Sequence, residues 1–194
     1  THAGAHFRCK VQIERVDVAD IEKEGAEPHL QDLDAMLVPG GFGGRGIEGK
    51  ILAAQYAREN GLPFLGICLG MQVASIEFAR NVCGLEGANS TEFEKEAAHP
   101  VISLLEEQQG VVDMGASMRL GSHVTDIAPD TLAYRLYRSA AITERHRHRW
   151  EFNGTYRERM EEAGIVVSGT NPESGLVEII EVPEHPFYIA CLLY

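Results

Sequence analysis

The sequence predicts an α/β fold with a mostly parallel central sheet flanked by helices, and three observations carry that prediction. Strand-like and helix-like stretches alternate along the first half of the 194 residues, as they do when strands are joined by crossover helices. The two sharpest glycine loops, 40–46 and 66–70, each follow an apolar strand. Ligands in open α/β sheets bind beyond such strand ends. The third observation is Gly66-Ile-Cys-Leu-Gly70, which has the Gly-x-nucleophile-x-Gly form of a tight strand-to-helix turn.

Taken in order, residues 10–17 alternate apolar and polar side chains and read as a strand, and residues 34–38 form a short apolar strand stopped by Pro39. Residues 48–60 carry Ile51, Leu52, Ala54 and Tyr56 at helical spacing and close on Asn60-Gly61, a helix-stop signal. Residues 64–67 are the next strand and 71–82 the next helix. The second half changes character. Alternating segments at 118–121, 141–152, 165–169 and 176–182 read as strands, and 156–163 as a short helix ending at Gly164. The charged stretch 92–109 reads as a solvated surface loop with a short helix.

Composition narrows the function classes. With 44% hydrophobic and 24% charged residues, the chain has material for one well-cored domain spanning 1–194 and little room for two. Its four cysteines (Cys9, Cys68, Cys83, Cys191) are scattered, without a Cys-x-x-Cys pair, as expected in a reducing compartment, so a cytoplasmic location is expected. No apolar run reaches membrane-spanning length and no signal peptide opens the sequence, so a soluble protein is expected. A net charge of -12 argues against a nucleic-acid partner, which needs a basic surface.

The elbow singles out Cys68. Gly66 and Gly70 give the turn its clearance. The helix that follows aims unpaired N–H groups and its positive dipole end at the sulfur, which predicts a lowered thiol pKa and a nucleophilic thiolate. Gly41-Phe-Gly-Gly-Arg-Gly46 imitates a dinucleotide fingerprint, but no acidic residue follows at the required distance on a second strand. Residues 44–50 imitate a phosphate loop, yet Ile51 stands where a magnesium-ligating Ser or Thr is needed. The better reading of the glycine loop is a set of exposed N–H groups that, with the Leu69 N–H, hold the oxyanion of a tetrahedral intermediate. His146 and His148 share one strand face without a completing ligand set, so no metal is expected. Arg145, Arg147 and Arg149 alternate with them as a positive island where an arginine is suited to clamp a substrate carboxylate.

With those residues in hand, the chain resembles the class I (triad-type) glutamine amidotransferases, and within them the glutaminase domains of CTP synthases. The resemblance is carried by Pro39-Gly-Gly-Phe-Gly43, Arg45-Gly-Ile-Glu-Gly-Lys50, Gly66-Ile-Cys-Leu-Gly-Met-Gln72, Ala88-Asn-Ser-Thr-Glu-Phe93, Met118-Arg-Leu-Gly121, Glu144-Arg-His-Arg-His-Arg149 and Leu176-Val-Glu-Ile-Ile180. It runs from the first residues to about Cys191 and implies the flavodoxin-like fold of that family. It implies Cys68 as the nucleophile that attacks the side-chain amide of L-glutamine, releasing ammonia and leaving a thioester for water to hydrolyse. Gly41 and Leu69 would supply the oxyanion hole. Gly41, Leu69, Gly70, Met71, Gln72, Glu92 and Arg149 would hold the substrate, Glu92 at its ammonium and Arg149 near its carboxylate. The ammonia would pass to a synthetase domain, outside this sequence, that uses ATP and magnesium to convert UTP to CTP. GTP would activate the reaction, and the full-length protein would be a homo-oligomer.

The sequence departs from the family pattern at both ends. After Ala190-Cys191 the family continues with the catalytic histidine and its orienting glutamate, whereas here Leu192-Leu-Tyr194 follows. His185 matches a family position outside the triad. Without a base, proton transfer would suffer by roughly 10²–10⁴-fold. The family also opens with a strand and most of a helix before the equivalent of Thr1, so the sequence is expected to be a piece of a longer polypeptide. Two other readings remain: a catalytically silent amidotransferase-like binding domain, and another elbow-cysteine hydrolase such as a γ-glutamyl hydrolase. The Arg-His-Arg-His-Arg segment counts against the second.

Overall fold

The structure is a computed structural model that describes residues 2–104 and 118–194. The chain opens with helices α1 (His2–Phe7), α2 (Val18–Glu24) and α3 (Glu27–Leu30), then strand β1 (Met36–Val38), helix α4 (Ile47–Asn60), strand β2 (Phe64–Ile67) and helix α5 (Leu69–Asn81). Strands β3 (Ala88–Ser90), β4 (His99–Ser103) and β5 (Arg119–Ile127) lead to α6 (Leu132–Tyr137), β6 (Ala141–His148) and β7 (Glu151–Phe152). Helix α7 (Arg157–Glu162) and strands β8 (Val166–Thr170), β9 (Val177–Glu181) and β10 (Tyr188–Cys191) complete the order.

Among the described residues, seven strands form the large sheet in the order β1-β2-β10-β9-β8-β5-β6, and β3-β4-β7 form a small one. The α/β architecture stands as expected, but the sheet is mixed and not mostly parallel. In the large sheet, among the described residues, only β1–β2 and β2–β10 pair in parallel, while β10–β9, β9–β8, β8–β5 and β5–β6 are antiparallel. Connection length explains the difference. Parallel neighbours need a crossover of a dozen or more residues, which α4 supplies between β1 and β2, whereas β8–β9 and β9–β10 are joined by short turns.

Two further expectations need correction. Residues 10–17 pair with no described strand, and Val11 (48%) and Ile13 (68%) are exposed. Alternation alone marks a strand only where one face is buried. Within 92–109, residues 99–103 are β4, whose Val101 and Ile102 are fully buried. Residues 105–109 of that stretch lie outside the described residues.

The core explains the elements that matter for the site. α5 is buried almost all round, Leu69 through Ala79, because it lies between the two sheets and packs on β1, β2 and β10 on one side and on β3 and β4 on the other. α4 covers the same face of the large sheet, closed at its C-terminus by Gly61 at φ 67°, whose N–H caps Ala57 O. The two helices are tied by a buried ion pair, Arg58 Nη2 to Glu77 Oε1 at 2.8 Å. Beneath them Phe64 stacks on Tyr188 at 4.3 Å, joining β2 to β10. Among the described residues no helix is long and apolar enough to cross a membrane.

Candidate active site

β2 ends at Ile67, and the chain turns into α5 within one residue, so Cys68 takes φ 53°, ψ -102°. For a residue with a side chain this is a strained conformation, and neighbouring bonds hold it. The Cys68 N–H donates to Cys191 O at 2.6 Å, while its own carbonyl accepts from Met71 N and Gln72 N at 3.0 and 3.2 Å. The flanking glycines are required by contact: a Cβ on Gly66 would lie 2.8 Å from the Gly70 backbone, and one on Gly70 would lie 2.3 Å from Val38 O.

The sulfur lies among groups that pull in opposite directions. The N–H groups of Leu69 and Gly41 bond it and favour the thiolate, but burial outweighs them, with Glu92 and Glu151 adding negative charge. The thiol pKa is therefore held above its ordinary 9.0, against the lowering expected from the helix terminus alone. The N–H groups lower the pKa, but desolvation is the larger effect once Cys68 is only 5% exposed, and the net shift is upward.

The glycine loop after β1 packs directly on the elbow, with Gly40 3.4 Å from Cys68 Cβ and Gly41 3.2 Å from Leu69 Cδ2, both measured from an ideal Cβ. Glu92, just beyond β3, accepts from Gly43 N at 2.8 Å. Burial lifts its carboxyl above the usual 4.5, and the Gly43 N–H opposes that rise. Gln72 stands in the first turn of α5, 3% exposed, with Oε1 unpartnered. Met71 is fully buried in the core and its N–H is committed to Cys68 O. Gly70 has its Cα turned to Val38 O. Arg149 occupies the corner between β6 and β7, its guanidinium 5.4 Å over the Trp150 ring and its Nε unpartnered.

His146 and His148 point into the protein while Arg145 and Arg147 are exposed, the division the alternation predicted. The two histidines bond each other, Nδ1 to Nε2 at 3.0 Å. His185 is elsewhere, between β9 and β10, bonded to Ala57 O at 2.9 Å. Tyr194 reaches back toward the glycine loop, its ring 3.9 Å from the Gly40 Cβ position. Sequence reasoning missed Glu151 and Glu178, which are buried, and Arg119, whose side chain lies between them 10% exposed. A signal for one of them existed: Glu178 interrupts the apolar run Val177–Ile180, and a charge there must be paired inside.

Comparison with known proteins decides the family. The family "Glutamine amidotransferase class-I" matches residues 1–191. The chain belongs to the class-I glutamine amidotransferases. Among curated class-I amidotransferase relatives, it is 56% identical over 190 residues to the CTP synthase of Synechocystis sp., covering 98% of this chain and 34% of that protein. It is 55% identical over 190 residues to the CTP synthase of Moorella thermoacetica, covering 98% and 35%. The chain thus spans about a third of the length of the curated relatives it matches. Among solved structures, the glutaminase domain of Trypanosoma brucei CTPS with bound acivicin superposes with a TM-score of 0.93 at 38% identity, covering all of this chain and 76% of that one. A glutamine amidotransferase of Thermotoga maritima shares the amidotransferase fold alone, with a TM-score of 0.63 at 12% identity over all of this chain and 67% of that one.

Proposed function

We propose that this chain is the glutaminase domain of a CTP synthase and that Cys68 is its nucleophile. The observation that carries the reading is Cys68 held at a strained elbow on which the Gly40–Gly41 loop packs, with the Gly41 and Leu69 N–H groups near its sulfur. Donors so placed are within reach of the oxygen of any carbonyl the sulfur attacks. The sulfur bonds the amide carbon of L-glutamine, the C–N bond breaks, and nitrogen leaves as ammonia with an added proton. Water then cleaves the thioester, giving glutamate and the free thiol.

The substrate roles follow the charges. Glu92 faces the ammonium and Arg149 the carboxylate, with Gln72 and the backbone of Gly70 and Met71 framing the side chain. Support for the nucleotide step lies in the CTP synthase relatives, in which the larger part of the length lies outside the region matched here. In that step the ammonia passes to a synthetase domain, which uses ATP and magnesium to aminate UTP. GTP activation, a homo-oligomeric full-length protein and a cytoplasmic location belong to the same proposal and are supported by the resemblance.

Labelling the chain with acivicin, followed by peptide mapping, tests the nucleophile. A single adduct at Cys68 is expected. Modification of Cys9, Cys83 or Cys191 in its place, or no adduct on folded protein, would overturn the assignment.

A further inference from the structure

Between His148 and Glu151 the chain leaves the large sheet for the small one, because β6 pairs with β5 and β7 pairs with β4 through Ser103 and Glu151. Arg149 and Trp150 are that corner. Under it lies a buried polar cluster that the reaction scheme above does not use. Arg119 of β5 is anchored by a hydrogen bond from its Nη2 to Glu178 of β9, and Glu178 also accepts from Thr125 Oγ1. The other guanidinium nitrogen, Nη1, is 3.9 Å from Glu151 Oε1. His148 Nδ1 is 3.4 Å from the same oxygen and 3.2 Å from Trp150 O. Glu151 is 1% exposed, and neither of its oxygens has a full hydrogen bond among the described residues.

A carboxyl with no partner in the core is costly to keep, so its position calls for a reason. Glu151 is two residues from Arg149, and its charge, once it ionises, is felt at Cys68. Arg149 has little of its own to orient it: its guanidinium rests on Trp150, and its Nε is free of partners among the described residues. The direction of the guanidinium is therefore inherited from the corner, and the corner stands on Glu151, Arg119 and His148.

We propose that Glu151 is a positioning residue for the reaction at Cys68, bracing the corner between the two sheets so that Arg149 meets the carboxylate of a glutamine-like substrate. This rests on the reading of Cys68 and Arg149 given above. The groups facing Glu151 are Arg119 from β5, Glu178 from β9, His148 from β6 and Cys68 at the elbow, with His146 of β6 behind them against Glu178 and His148. Burial lifts the carboxyl to about 8 against the pull of Arg119, so at neutral pH the brace carries its proton. A glutamine side chain then has nearly its shape and hydrogen-bonding capacity.

The test uses Glu151→Ala and Glu151→Gln in the 194-residue chain, with acivicin as the probe and the adduct at Cys68 counted by intact mass. Saturation of the labelling rate separates the half-saturating concentration from the maximal rate. In Glu151→Ala the half-saturating concentration rises by about 10- to 100-fold, with the maximal rate changed far less; in Glu151→Gln both stay near the parent values. Raising the pH from 7 to 9 weakens half-saturation in the parent as Glu151 ionises, and this step is absent in Glu151→Gln. Equal weakening in both variants, or parallel pH profiles for parent and Glu151→Gln, would overturn the inference. The pH comparison decides alone if Glu151→Ala does not fold. Labelling of the parent away from Cys68 would instead overturn the reading of the site, a distinct outcome.

Discussion

Gly70→Ala is the sharpest single test of the elbow. The added methyl would sit 2.3 Å from Val38 O, about 0.7 Å inside the 3.0 Å below which Cβ contacts are essentially never found. The opposing atom is backbone of β1, so no side-chain rotation relieves the clash. The first turn of α5 must retreat or β1 must shift. Overpacking of this kind costs about 1–3 kcal/mol, which for a domain of this length lowers the Tm by roughly 2–12 °C. The Leu69 N–H moves with that turn, away from the Cys68 sulfur it bonds. A misplacement approaching 1 Å is worth up to about 10²-fold in rate. The assay is acivicin labelling at Cys68 alongside thermal unfolding, with Gly154→Ala as control because its Cβ position meets nothing within 4 Å. A Gly70→Ala chain that unfolds and labels like the parent would refute the reasoning.

Three other perturbations have definite outcomes. Glu77→Ala leaves the Arg58 guanidinium, 17% exposed, without its buried partner and should cost about 3–5 kcal/mol, read as the loss of unfolding free energy in urea. Iodoacetamide should alkylate Cys68 ever faster as pH rises, with no plateau below 9, because the thiol pKa lies above 9.0 in the free chain; a plateau near pH 7 would contradict this. His146 and His148 are held neutral down to about 3 and 4 from an ordinary 6.5. The unfolded chain therefore binds protons that the folded one refuses. Their contribution is complete above pH 6.5 and is lost as pH falls toward 4, so the urea midpoint of His146→Asn should decline less over that range than the parent's.

The legibility of the sequence follows the range of the interactions involved. The β2–elbow–α5 unit is local: an apolar strand, two glycines and a helical period within about twenty residues, and the structure matches it closely. Residues 10–17 and 99–103 depart from the sequence pattern in opposite senses, because exposure of Ile13 and burial of Val101 are set by what packs on them, which no local pattern encodes. The buried cluster of Arg119, Glu151 and Glu178 joins residues up to 59 positions apart, and a charged side chain in sequence looks like a surface residue until its partner is known. The thiol pKa departs from the expected direction for a related reason. A helix terminus is visible in a sequence, but the depth at which the sulfur lies is not.

The bond from Cys68 N–H to Cys191 O sets a schedule for synthesis. The strand that frames the elbow on its inner side is β10, some 120 residues later in the chain, and a parallel partner so distant forms late because its loop must close first. At about 5–20 residues per second, the cysteine leaves the ribosome roughly 6–25 s before the carbonyl that fixes its amide. During that interval the thiol is an ordinary cysteine on an unfinished sheet, with the Gly41 and Leu69 N–H groups not yet fixed beside it. The burial that holds the thiol pKa above its ordinary value is therefore complete only when the far end of the sheet arrives, and until then the sulfur ionises more readily than it does in the folded protein.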